Sequence, residues 1–436
     1  MTQKHPKGLF ILFFTEMWER FSFYGMRAIL VLYLTKETIG NNPGLGWSNA
    51  EALSLYGWYT MMVYFVGIIG GVIADKFLGQ KKTVLIGGFL IAIGQLTLAL
   101  ENITAFYGGL ILIISGVGLL KPNISTMVGG LYKPGDPLRD AGFTIFYIGI
   151  NIGAATAPLL VGYIGEVYGW HYGFGLAGIG MLLGQVVYIW GQKYLKSVGN
   201  FIPPVKDLGN KAANKLTKVE KDRIIVLLIS FVIVMIFWAA YEQAGGLMNL
   251  YTNDKIDRTI LGWEIPASVF QSVPALFVII FGTIVASFWL KRQRKGKESA
   301  SLFKMAVGMI IMGTGFLMMS GAALDTLDGT KAMLIWLILS YLLQVIAELS
   351  ISPVVLSFIT KLAPVKYASI MMGLYFVAAG LGNKLAGLIG EFAQNAGELE
   401  VFTGIAATCA LIGFLLLIFY KKLKVLSHGA EDLVEN

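Results

Sequence analysis

Apolar residues along this chain come in runs of about twenty, separated by short polar joints. A helix rises ~1.5 Å per residue, so a run of that length crosses the hydrocarbon core of a bilayer. Counting such runs predicts twelve spans, near 8–35, 49–75, 82–100, 104–129, 140–165, 170–192, 222–250, 266–290, 302–323, 331–361, 366–392 and 400–420. The expected fold class is an all-α membrane protein. The longest joint, 193–221, contains Pro203-Pro204, Gly199 and Gly209 with a cluster of basic residues. It separates an N-terminal six-helix bundle (1–192) from a C-terminal one (222–424), with 425–436 as a tail. Weak internal similarity supports a duplication. Span four carries Lys121-Pro122-Asn-Ile-Ser125 and span ten carries Glu348-Leu-Ser-Ile-Ser352-Pro353; span one carries Glu19 and span seven Glu242. Two such bundles around a central site suit alternating access. The same pattern alone also suits a channel or an intramembrane enzyme.

Polar residues inside the runs discriminate between these. Glu16, Glu19, Arg20 and Arg27 all fall within the first span. Each costs about 2.5–3.5 kcal/mol at mid-membrane unless it faces water or a partner. At 100° per residue Glu16, Arg20, Tyr24 and Arg27 share one face, with Glu19 beside it. Lys121, Glu242 and Glu348 add buried charges on spans four, seven and ten. Four carboxylates then face three bases, and a low-dielectric cavity resists the surplus negative charge. A proton on one carboxylate removes the surplus and frees its basic partner for a substrate anion. The seven charges could instead be structural ion pairs. Their spread over four spans and both halves favours a transport pathway.

Composition narrows the class further. Of 436 residues 56% are apolar and 14% charged, against about 25% charged in soluble domains. The 53 glycines fit close helix packing in a membrane. Cys409 is the single cysteine, so no disulfide forms within the chain. The net charge of +8 reflects orientation rather than nucleic-acid binding. Of 34 Lys and Arg, Arg20, Arg27, Lys121 and Lys384 lie inside spans, and Lys36, Lys255, Arg258 and Lys331 lie on one side. All the others fall on the side of the two termini, which predicts both termini cytoplasmic in a multi-pass inner-membrane protein. The N-terminal run is too long and too charged for a cleavable signal peptide.

Other motifs carry less. Gly173-Phe-Gly175-Leu-Ala-Gly178 matches a dinucleotide fingerprint but lies in a span with no preceding strand, and is read as helix packing. Trp58, Tyr59, Tyr64, Tyr147, Trp238 and Tyr241 suit a substrate cage or ordinary core and interface aromatics. His5 and His428 lie in tails and His171 at the end of span six, so no histidine serves as proton carrier. Metal-ligand spacing and nucleophile–base pairs are not found; the chain is expected to be no enzyme and to use no cofactor, only a proton gradient.

Four blocks resemble the proton-coupled oligopeptide transporters of the major facilitator superfamily. They are Glu16-x-x-Glu19-Arg20-Phe with Tyr24-Gly25-Met-Arg27; Gly70-Gly71-Val-Ile-Ala-Asp75-Lys-Phe-Leu-Gly79-Gln-Lys-Lys-Thr83; Phe146-Tyr147-Ile-Gly-Ile-Asn151-Ile-Gly153; and Trp238-Ala-Ala-Tyr-Glu242-Gln243-Ala-Gly245. Lys121-Pro122-Asn123 and Glu348 with Ser352-Pro353 add to the match. The resemblance implies the superfamily fold and a symporter that imports di- and tripeptides with protons. It implies that Glu16, Glu19 and Arg20 act in proton coupling with Lys121 as switching partner, and that Arg27 pairs with Glu242. Arg27 and Lys121 would meet the peptide carboxylate, Glu348 and Asn151 its amino end, and Tyr24 and Tyr64 would line the pocket. The chain departs from the family at Phe23, usually Tyr, at Pro274-Ala275, usually Asn-Pro, and at Tyr375, usually Trp. The 193–221 joint is too short for the two extra helices common in bacterial members. A same-fold carrier of nitrate or a peptide-like drug, and a non-transporting sensor or scaffold, are the alternatives.

Overall fold

A computed structural model describes residues 4–133, 136, 138–201, 216–364 and 367–430. Parts of the expected linker (202–215) and tail (431–436) lie outside the described residues. The helices follow the apolar runs closely. In order they are α1 (Lys7–Thr35), α2 (Asn49–Ile73), α3 (Gln80–Leu98), α4 (Ile103–Gly130), α5 (Leu138–Ala157), α6 (Tyr163–Val167), α7 (Trp170–Gly191), α8 (Lys218–Tyr241), α9 (Leu247–Lys255), α10 (Val273–Arg294), α11 (Ser301–Asp325), α12 (Leu334–Leu362), α13 (Ala368–Ala396) and α14 (Glu398–Leu426). Several of these join end to end. A π-helical turn, Pro158–Gly162, links α5 to α6, and a 3₁₀ turn, Glu242–Gly245, separates α8 from α9. Eleven of the resulting rods are long and apolar enough to cross a membrane. The 29-residue α1, which carries Glu16, Glu19, Arg20 and Arg27 within its apolar run, stands apart from these.

The helix starts are written in the local sequence. Ser48 and Glu51 form a capping box on α2, Thr217 and Glu220 another on α8, and Asn102 accepts from Thr104 and Ala105 at the start of α4. Each satisfies backbone N–H groups that have no partner inside the helix.

The chain divides into two compact units. The first comprises Met1–Lys206 together with Met248–Asn253 and Thr259–Leu276. Within it α1 packs on α5 and α7, α3 on α4 and α7, and α2 on α4. Residues 248–253 and 259–276, within the 222–424 stretch, cluster with the first unit. Asn249 donates to the Ala28 carbonyl at 2.9 Å, and Glu166 accepts from the backbone of Ser268 at 2.7 Å and Ala267 at 3.3 Å. Such contacts across more than a hundred residues leave no periodic trace. The start of the expected linker also packs here: Lys81 N–H donates to the Gly199 carbonyl at 2.9 Å. Gly79 makes the approach possible. Its φ is +75°, and a Cβ there would meet the Phe201 nitrogen at 2.5 Å, so only glycine fits.

The second unit comprises Asp207–Leu247, Asp254–Arg258 and Phe277–Asn436. Its α11 packs on α12 and α14, and α8 packs on α13. Two short strands, β1 (Ile256–Asp257) and β4 (Ala332–Met333), pair in parallel. In the first unit β2 (Thr259–Ile260) and β3 (Trp263–Glu264) form a small hairpin.

Candidate functional site

Three charges of α1 form one buried knot. Glu16, Glu19 and Arg20 are 2%, 0% and 3% exposed. The Arg20 Nε–H is shared: it donates to Glu19 Oε2 and stands 3.2 Å from Glu16 Oε1. One guanidinium therefore serves two carboxylates on adjacent turns, as the helical spacing of residues 16 and 20 requires. Gly153 of α5 brings this face close to its neighbour; a Cβ there would lie 2.2 Å from the Met17 carbonyl oxygen. The count is one positive charge against two negative ones. The charge of Lys121 on α4 acts on Glu16 as well. Its ammonium sits 4.6 Å from the ring centroid of Tyr64 on α2, a cation–π contact that holds it without neutralising it.

Arg27 lies two turns further along α1. Its guanidinium is 5.5 Å from the ring of Tyr24 and 5.9 Å from that of Tyr56. Tyr24 also packs against Ala154, Ala155 and Ala275. Asn151, 7% exposed, donates to the Tyr147 carbonyl at 2.9 Å, which leaves its amide oxygen free of that bond. Eight of the residues singled out from sequence thus fall in the first unit: Glu16, Glu19, Arg20, Tyr24, Arg27, Tyr64, Lys121 and Asn151.

The other two, Glu242 and Glu348, belong to the second unit. Glu242 is 4% exposed and opens the 3₁₀ turn that ends α8. Glu348 on α12 accepts a 2.5 Å hydrogen bond from the Tyr241 hydroxyl. Tyr241 in turn stacks on Phe237 and meets Trp238 edge-on at 5.4 Å. Tyr375 lies in the same place, beside Trp238 and within reach of the Glu348 charge. The sequence pointed to Glu348, but its anchor Tyr241 stood among unremarkable aromatics. Nothing in helical spacing reveals a bond between residues 107 positions apart.

The three histidines are peripheral. His5 bonds the Tyr132 hydroxyl, His171 lies 2.9 Å from Glu101, and His428 lies 2.7 Å from Asp222. Among the described residues no group of His, Cys, Asp and Glu is arranged to hold a metal ion.

The sequence matches the family model described as the POT family over residues 81–208 and 204–405. The two segments meet at 204–208, inside the joint between the halves. The chain is 34% identical to "Peptide transporter YePEPT" of Yersinia enterocolitica subsp. palearctica, over 93% of this chain and 91% of that protein. It is 33% identical to a "Di-/tripeptide transporter" of Lactococcus lactis subsp. lactis, over 95% of each. A crystal structure of a mutant peptide transporter POT in complex with alafosfalin superposes with a TM-score of 0.91 at 35% identity, covering 98% of this chain and 96% of that one.

Proposed function

This chain belongs to the POT family, the proton-coupled oligopeptide transporters, and on that premise we propose that it imports di- and tripeptides with protons across the cytoplasmic membrane. The observation that carries the mechanism is the knot in which Glu16 and Glu19 share Arg20. With both carboxylates ionised, the knot needs a second positive charge, because an uncompensated buried charge is expensive. Either the Lys121 ammonium or a proton can supply it. When a proton does, Lys121 is released to meet a peptide carboxylate. When the peptide leaves, Lys121 returns and the proton departs. Peptide and proton then bind together and are released together.

Arg27 and Glu242 form the second switch in this scheme: protonated Glu242 lets Arg27 go to the peptide carboxylate. Glu348, oriented by Tyr241, and Asn151 take the amino end, and Tyr24 and Tyr64 line the pocket. Every dipeptide has a cation and an anion at fixed separation. Basic groups opposed to an acidic one therefore read the backbone and ignore the side chains. One proton crossing 100 mV releases about 2.3 kcal/mol, enough for a gradient of roughly 50-fold in a neutral peptide.

The test is uptake of dialanine into liposomes driven by a pH gradient. Wild type accumulates it, and Glu242→Gln keeps counterflow but loses accumulation. Equal accumulation by Glu242→Gln and wild type would refute the coupling scheme.

A further inference from the structure

One buried polar group beside the knot has no part in the scheme above: the hydroxyl of Tyr59. The residue is 2% exposed and lies one helical turn after Tyr56 on α2, so both rings face the same way. Tyr56 stands against the Arg27 guanidinium at 5.9 Å. The Tyr59 ring stacks on Phe23, with centroids 6.3 Å apart and planes at 22°. The Arg20 guanidinium in turn sits 5.4 Å from Phe23. Tyr59 is therefore placed between the two arginines of α1, and the charges of Glu19, Arg27 and Arg20 all act on it. Its buried hydroxyl has no hydrogen-bond partner among the described residues, and the same holds for Glu16 Oε2, Glu19 Oε1 and Arg20 Nη2. Two donors and two acceptors are thus left over in one place. Buried polar groups rarely stay unbonded.

We propose that Tyr59 is a positioning residue of the proton-coupling knot: its phenol, which has no partner among the described residues, turns to Glu19 Oε1, the oxygen Arg20 does not take, as a proton enters, so that Glu19 stays bound and the proton settles on Glu16. The charge of Lys121 acts on Glu16, so this assignment links protonation to Lys121 release. Phe23 cannot do the same, having no hydroxyl, although its ring is parallel and adjacent. The inference rests on the transport reading above, and the experiment separates the two.

Tyr59→Phe in the full-length protein, reconstituted in liposomes, is compared with wild type in two assays. The expected result is a fall of about tenfold in dialanine accumulation driven by a pH gradient, with counterflow, which needs no net proton movement, kept within about twofold. Adding Phe23→Tyr to Tyr59→Phe returns a hydroxyl across the ring stack and restores at least half of the accumulation. A parallel fall in both assays, or a double variant as poor as Tyr59→Phe, would show a purely structural role and overturn the proposal, as would unchanged accumulation by Tyr59→Phe. Wild type that shows counterflow but no accumulation would instead remove the coupling reading, and this inference with it.

Discussion

A single hydrogen bond decides how Glu348 can act. Its carboxylate hangs from α12, and the 2.5 Å bond from Tyr241 selects one orientation before any ligand arrives. A hydrogen bond to a charged group is worth about 1.5–3 kcal/mol, and each ~1.4 kcal/mol is a factor of ten. Tyr241→Phe is therefore expected to raise the KM for dialanine by about tenfold or more. An N-acetylated dipeptide, which offers no ammonium to Glu348, is expected to show almost no change between the two proteins. Equal losses for both ligands would mean that Glu348 does not read the amino end. The knot on α1 makes a second residue-scale case. Lys121→Gln removes the charge that balances Glu16 and Glu19. Accumulation of dialanine is expected to fall at least tenfold across pH 5 to 7, and substrate affinity to fall with it, as equilibrium binding would show. Both carboxylates were apparent in the sequence, since charges in an apolar run demand an explanation. That they share one N–H of Arg20 was not, because rotamers are chosen by packing.

At the scale of elements, boundaries were legible and interruptions were not. The run predicted at 8–35 is α1 at Lys7–Thr35, and the run at 302–323 is α11 at Ser301–Asp325. Length, apolarity and capping residues carry that information. The run at 222–250, by contrast, breaks at Glu242–Gly245 into α8 and α9. A break at membrane depth is tolerated only where other groups bond the freed backbone, and those groups come from elsewhere in the chain. Gln243 supplies part of this, donating at 3.1 Å to the carbonyls of Ala239 and Ala386. Gln243→Leu is expected to destabilise the protein by about 1–3 kcal/mol through the two side-chain hydrogen bonds it loses, read as a lower melting temperature in detergent. Gly153→Leu is expected to be worse. Even a Cβ at that position would lie 2.2 Å from the Met17 carbonyl oxygen, so α1 must shift together with Glu16 and Arg20. Loss of monodisperse protein, or of transport in whatever folds, is the outcome to measure; a variant with wild-type melting and uptake would show that α1 and α5 need not approach so closely.

For the whole molecule, the proposed orientation rests on where lysine and arginine fall. Among the described residues, Ser299 lies in the joint between α10 and α11, and Thr330 lies in the one between α11 and α12. Successive joints open on opposite sides of a membrane. Cys409, buried at 1% exposure, is removed as Cys409→Ser to give a clean background. An impermeant maleimide applied to intact cells is then expected to label Thr330→Cys and spare Ser299→Cys. The reverse pattern would invert the topology, and with it the direction of import.

Sequence alone determined the twelve apolar rods, the charges that had no business among lipids and the family these residues resemble. Those features are local: they depend on how many apolar residues follow one another and on which side chains interrupt them. Tertiary structure decided which oxygen of Glu19 Arg20 takes, that Tyr241 holds Glu348, that Tyr59 stands between two arginines, and that 248–253 and 259–276 belong with the first unit. Each of these is a contact between residues far apart in the chain or a choice among rotamers. Burial, hydrogen bonding and close packing settle such choices only once the helices have come together.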